Sequence, residues 1–127
     1  RIVNYLPYGG TVTSTFSAFG MCTSYAQCAS ISLTPGRWRF LSAALQSRGA
    51  AIADLRGAIS TTTASNTGTT AGTTYFSTGP VSASGIASLT MPISDVTLTS
   101  TTTYYFNSVA DAASGTFSGI FQAERVF

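Results

Sequence analysis

The side chains that could do chemistry in this sequence are few, and their types exclude most reactions. There is no histidine, so neither a Ser-His nor a Cys-His pair can form, and the serines are hydroxyls without a base. The acids are Asp54, Asp95, Asp111 and Glu124, scattered over separate segments. A glycosidase would need two of them about 5–9.5 Å apart across a sugar-sized cleft. Gly9-Gly10 lacks the Lys-Ser/Thr that completes a phosphate-binding loop. Six arginines without a lysine make a poor phosphate-tracking groove, and are expected in solvated or interface ion pairs. Cys22 and Cys28 are separated by five residues. They could close an intrachain disulfide worth ~2 kcal/mol, or stay as buried free thiols, as a cytosolic history would leave them. A structural zinc needs four Cys or His ligands, which one copy of this chain does not possess. The reading is of a protein without catalytic residues, cofactor or metal.

Composition points to what remains. Only 8% of the 127 residues are charged, the net charge is +2, and 44% are hydrophobic. So small a charge implies neither nucleic acid nor an anionic membrane as partner. Ser and Thr are abundant, yet eight Phe, six Tyr and one Trp set the chain apart from disordered polar sequences. Low charge favours contact between copies, so part of the surface is expected to be covered by other subunits. No apolar run approaches the length that spans a bilayer. Residues 1–10 lack a signal-peptide core and an initiator Met, and read as an N-terminal arm or a link to a longer chain.

The elements that must carry these residues are strands. Thr101 to Phe127 reads as a hairpin: Tyr104, Tyr105, Phe106 and Val109 in one run, Ala113-Ser114-Gly115 as the turn, and Thr116 onward as the second run. In that last strand Phe121, Ala123, Arg125 and Phe127 are favoured for the interior over Ile120, Gln122, Glu124 and Val126. Thr11 to Phe16 alternates as a strand. Thr34-Pro35-Gly36 suits a type II turn, after which Trp38, Phe40, Ser42 and Ala44 share a face, with Trp38 and Phe40 directed into the core. Helix-like spacing of Leu41, Leu45, Ile52, Leu55 and Ile59 competes over 41–59, but Gly49 and Gly57 oppose it. Two strands, near 40–47 and 50–60, are expected around a turn at Ser47-Arg48-Gly49. Residues 60–79 are a charge-free Thr/Gly/Ser tract in which Tyr75-Phe76 could open a strand. Leu89, Met91 and Ile93 alternate, then Val96 and Leu98 after a phase change at Ser94-Asp95, the mark of a bulge or turn. One all-β domain over 1–127 follows, an antiparallel sandwich of about eight to ten strands, as in a jelly roll.

Two stretches carry a resemblance. Leu33-Thr34-Pro35-Gly36-Arg37-Trp38-Arg39-Phe40 is similar to the Pro-Gly-x-aromatic-x-Phe entry of TNF/C1q-like jelly rolls, and Thr116-Phe117-Ser118-Gly119-Ile120-Phe121 resembles their Phe-Ser-Gly close. Small jelly-roll proteins and fibre domains of tailed bacteriophages are a nearer likeness. Their motifs correspond here to Ile31 to Trp38, Gly57 to Thr63, Thr102 to Phe106, and Ser114 to Val126. The spacing from Tyr-Tyr-Phe to Phe-Ser-Gly is shorter than in animal C1q domains, no collagen repeat precedes it, and no acidic cluster suggests calcium.

The resemblance implies a non-enzymatic homotrimer on a virion surface, made in the host cytoplasm. Its expected role is a fibre or tail knob that attaches to a host-surface glycan or protein and contacts other virion proteins. A capsid decoration protein and a carbohydrate-binding module are the alternatives. The expected core is Trp38, Phe40, Leu89, Met91 and Phe117. Because neighbouring side chains on a strand face opposite ways, Tyr104 or Tyr105 and Phe121 or Phe127 are candidates for the contact between copies. Thr61, Asn66, Thr70, Tyr75 and Phe76 form the candidate binding loop.

Overall fold

A computed structural model describes residues 10–65 and 81–126 together with the backbone of 73–76. Among these residues the chain is all-β, without helix, and forms two antiparallel sheets. The strands are β1 (Thr11–Gly20), β2 (Ala26–Leu33), β3 (Gly36–Arg48), β4 (Leu55–Ser60), β5 (Thr73–Phe76), β6 (Ala87–Thr90), β7 (Ser94–Leu98), β8 (Thr102–Ala110) and β9 (Thr116–Arg125). One sheet runs β1-β9-β3-β6, with β7 also on β3; the other runs β2-β8-β4-β5. They are called sheets A and B below. The two inner faces bury one apolar core, as in a β-sandwich.

Trp38, Phe40, Leu89, Met91 and Phe117 all lie in that core. Aromatic rings stitch the sheets together. Phe40 meets Tyr104 edge-on at 4.9 Å and stacks on Phe121 at 5.9 Å. Phe121 in turn tilts against Phe106 at 5.7 Å, and Phe106 meets Phe16 at 6.1 Å. Each such pair adds about 0.5–1.5 kcal/mol to the burial of its rings. In β9, Phe117, Phe121 and Ala123 are fully buried, so the odd-numbered face is the inner one, as alternation suggested.

The alternation of β3 is interrupted. Trp38 and Phe40 point inward, but the pairing with β9 shifts between Phe40 and Ser42. Leu41 is the extra residue, and from there Ala43, Leu45 and Ser47 are the buried set. Ser42 and Ala44 therefore face away from the core, contrary to simple alternation from Trp38; a bulge changes which residues face inward. The neighbouring strand breaks at the same level. Ala44 pairs with Thr90 and Phe40 with Ser94, leaving Met91, Pro92 and Ile93 outside both β6 and β7. Pro92 has no N–H for the ladder, and Ile93 is 64% exposed rather than inward with Leu89 and Met91. The phase change thus falls just before Ser94, not at Ser94-Asp95.

Two further expectations are corrected. The strand expected over 50–60 begins only at Leu55, because residues 50–54 turn; there Ile52 bridges Val81 and the Asp111 carboxylate accepts from the amides of Ala53 and Asp54. At Pro35-Gly36, Gly36 has a φ of 141°, more extended than the roughly 80° of a type II turn. The space where a Cβ would stand is taken by the Arg125 guanidinium, which donates to the Pro35 carbonyl at 2.8 Å and lies over the Trp38 ring. Trp38 Nε1 closes the same corner by donating to the Thr34 carbonyl at 2.8 Å.

The tightest approach in sheet A is at Gly119 in β9. A methyl group there would overlap the Ala44 carbonyl, the Leu45 Cα and the Phe16 ring. Backbone cannot yield as a flexible side chain can, so Gly119→Ala is expected to lower stability by about 3 kcal/mol. Gly20→Ala, where nothing lies within 4 Å, should stay within ~0.5 kcal/mol of the parent. Urea unfolding midpoints of the two variants check both values.

Candidate interaction surface

Three of the four acids hold the fold. Asp95 on β7 receives Arg39 Nε at 2.9 Å and Arg37 Nη2 at 3.1 Å, and hydrogen bonding from Arg39, then from Arg37, keeps its carboxyl below the ordinary aspartate range. Asp54 pairs with Arg56 at 2.9 Å, and Asp111 caps the 53–54 turn. Among the described residues no group of three or more Cys, Asp or Glu could hold a metal ion. No helix there is long and apolar enough to cross a membrane.

The two walls of the sandwich are finished differently. On sheet B, Ala58 and Asn107 are paired neighbours on the side away from the core, yet both are fully buried. Residues 61–65 cover them. Asn107 Nδ2 donates to the carbonyls of Thr62 at 3.0 Å and Ser65 at 2.7 Å, and its Oδ1 accepts from the Ala64 amide at 3.3 Å. Ser60 Oγ accepts from the Thr62 amide at 2.9 Å, and Thr63 donates to Gln27 at 2.7 Å. A single buried amide therefore organises the start of the Thr-rich tract.

The outer face of sheet A has no such cover from the described residues. Thr13 and Thr15 on β1, Ser118, Ile120 and Gln122 on β9, Ala44 and Gln46 on β3, and Ser88 and Thr90 on β6 make up its middle. None of these is charged. Around Ala44, Gly119 and Ile120 the small side chains leave a shallow hollow of about 460 Å³. The large hydrophobic residues exposed among those described, Leu41, Ile86 and Ile93, all belong to this sheet or its border. Continuing the register between Ala44–Thr90 and Phe40–Ser94 sets Leu41 opposite Ile93, so two of them are neighbours.

Several candidates read from the sequence are moved by this geometry. Tyr104 and Phe121 are 1% and 0% exposed; both point into the protomer's own core, so neither can line a contact between copies. Tyr105, the neighbour of Tyr104, is half-buried on the outer side of sheet B, and Phe127 lies outside the described residues. Thr61 is exposed at the end of β4. Asn66 and Thr70 lie outside the described residues, whereas Tyr75 and Phe76 belong to the edge strand β5, paired with Arg56 and Leu55. Asn107 was missed; an amide inside the aromatic run Tyr104-Tyr105-Phe106-Asn107 is the signal that could have marked it.

Cys22 and Cys28 are both free. The Cys22 carbonyl accepts from the Ala110 amide, whereas Cys28 is the bulged residue of β2 between the partners of Asn107 and Phe106. Three residues along β8 separate the two by roughly 10 Å, against the ~4.4–6.8 Å between Cα atoms that a disulfide spans. Burial pushes the Cys28 thiol from 9.0 up to about 11; the Ser108 hydroxyl opposes this, though its geometry falls short of a hydrogen bond, and nearby Cys22 adds slightly to the rise.

Two predictions follow from these sites. Asn107→Ala should lower stability by about 2–3 kcal/mol by orphaning buried backbone groups, and should open residues 61–65 to limited proteolysis while the β circular-dichroism signature persists. For the thiols, reduction should leave the intact mass unchanged, and Cys22 should alkylate before Cys28. Since the folded pKa of Cys28 is raised, the unfolded chain loses its proton first as pH rises. Stability should then fall between pH 9 and about 11 by on the order of 2 kcal/mol, a slope that Cys28→Ala should remove in denaturant titrations.

Comparison with protein-family models, curated proteins and solved structures returned no match for this chain.

Proposed function

We propose that this chain is a non-enzymatic structural domain of a phage virion surface, a jelly roll that acts as a homotrimeric fibre or tail knob in host attachment. The observation that carries the self-association is the contrast between the walls: residues 61–65 cover sheet B around Asn107, while the middle of sheet A, left uncovered by the described residues, is uncharged and bordered by Leu41 and Ile93. Monomers avoid leaving neighbouring aliphatic side chains such as Leu41 and Ile93 to water, and a chain with 8% charged residues has little charge to oppose association.

Strand order supports the jelly-roll reading. If β6 and β7 are counted as one interrupted strand, eight strands pair first with last and so inward: β1 with β9, β2 with β8, β3 with β6/β7, β4 with β5. That is one long hairpin. Rolling it up brings β9 against β3 and β8 against β4, the two remaining pairings. The virion setting rests on the likeness of the segments around Trp38 and Phe117 to phage jelly-roll domains. The reading of no catalysis rests on a histidine-free sequence in which three of the four acids are engaged in ion pairs or a turn cap.

Light scattering on the purified chain at micromolar concentration tests the reading. A particle of three chain masses is expected, and a stable monomer would remove the trimer together with the main support for a fibre role.

A further inference from the structure

Arginines and acids elsewhere on the described molecule are paired or packed: Arg37 and Arg39 on Asp95, Arg56 on Asp54, Arg125 over Trp38. Arg48 and Glu124 make no ion pair among the described residues. Both stand on the outer face of sheet A, which the described residues leave uncovered. Arg48, exposed at the end of β3, is opposite Thr116, and Glu124 lies eight residues further along β9, roughly 26 Å away. Halfway between them, Ala44 pairs with Ile120 at the shallow hollow. The face therefore carries Arg48 at one end and, at the other, Glu124 beside the Arg37–Asp95–Arg39 cluster, with no charged side chain between them among the described residues. Arg39, across the strand from Glu124, shares Asp95 with Arg37, which leaves Glu124 outside any ion pair among the described residues.

This arrangement is complementary to itself. A symmetry axis that runs across the strands, in front of the Ala44–Ile120 level, carries the Arg48 end of each copy to the Glu124 end of the next. We propose that copies of this chain meet on the outer face of sheet A, with Arg48 of one protomer paired to Glu124 of its neighbour. The inference rests on the self-association proposed above and names its surface. With three copies the faces stand as the sides of a triangular prism. Each corner holds one Arg48–Glu124 pair, and the head-to-tail contact closes on itself. Opposite charges placed this way select the register of the contact and penalise a copy that docks the other way round.

Sedimentation of the full chain over a concentration series, with a charge swap, decides it. Arg48→Glu and Glu124→Arg each set like charges together at every contact and should shift the assembly midpoint to at least about tenfold higher concentration. The double variant R48E/E124R should return it to near the parent value, a rescue that a purely local role for either side chain would not produce. Both positions lie on the surface, and circular dichroism checks that the fold persists. If the parent assembles and single reversals leave the midpoint unmoved, or the double variant fails to recover, the assigned face is wrong while self-association stands. If the parent is monomeric throughout, the self-association reading fails and this inference with it.

Discussion

Everything in the sandwich is arranged about the place of β9 between β1 and β3. Ten residues from the far end of the sequence pair on one side with Thr11–Gly20 and on the other with Gly36–Arg48. That single insertion joins β1 to β3 in sheet A, buries Phe117, Phe121 and Ala123 in the core, and sets Phe121 against Phe40 of β3 and Phe106 of β8. It also requires a strand without a side chain at one point, since Gly119 lies against the backbone of Ala44 and Leu45 and under the ring of Phe16. Contacts of this kind join distant parts of the sequence, and the loop-closure entropy must be met before the core rewards it.

The bulge at Leu41 follows from the same pairing. One extra residue in β3 changes which side chains enter the core, and the adjacent strand answers with its own break at Pro92-Ile93. Without that matched break, one of the two strands would turn its apolar set to solvent. The consequence is a pair of exposed aliphatic side chains, Leu41 and Ile93, at the border of an otherwise hydroxyl-rich wall. A feature that arises from the packing of the core therefore also shapes the surface by which copies are proposed to meet.

Polar groups are placed with economy. The buried amide of Asn107 satisfies three backbone groups of the segment that crosses sheet B, Asp111 caps the approach to β4, and Arg125 lies over Trp38 while holding the Pro35 carbonyl. Burial without partners is expensive for such groups, which explains why they gather where the chain turns across the ends and outside of the sandwich. The charges that serve no such purpose within the described molecule lie at the two ends of sheet A.

The sequence by itself determined the class of fold: β-branched and aromatic runs punctuated by Gly, Pro and Ser, with period-two alternation, admit little but an antiparallel sandwich. It also determined the inward face of β9 and the burial of Trp38, Phe40, Leu89, Met91 and Phe117, since bulk and alternation are local properties. Tertiary structure decided the rest. The reversal of phase in β3 depends on a bulge against a strand some eighty residues away, so Ser42, Ala44 and Ile93 could not be assigned from their neighbours. Tyr104 and Tyr105 are equivalent in composition, and only the packing of Tyr104 against Phe40 made one of them core. The separation of Cys22 from Cys28 likewise follows from where each meets β8, because short sequence spacing limits how far apart two thiols can be but does not bring them together.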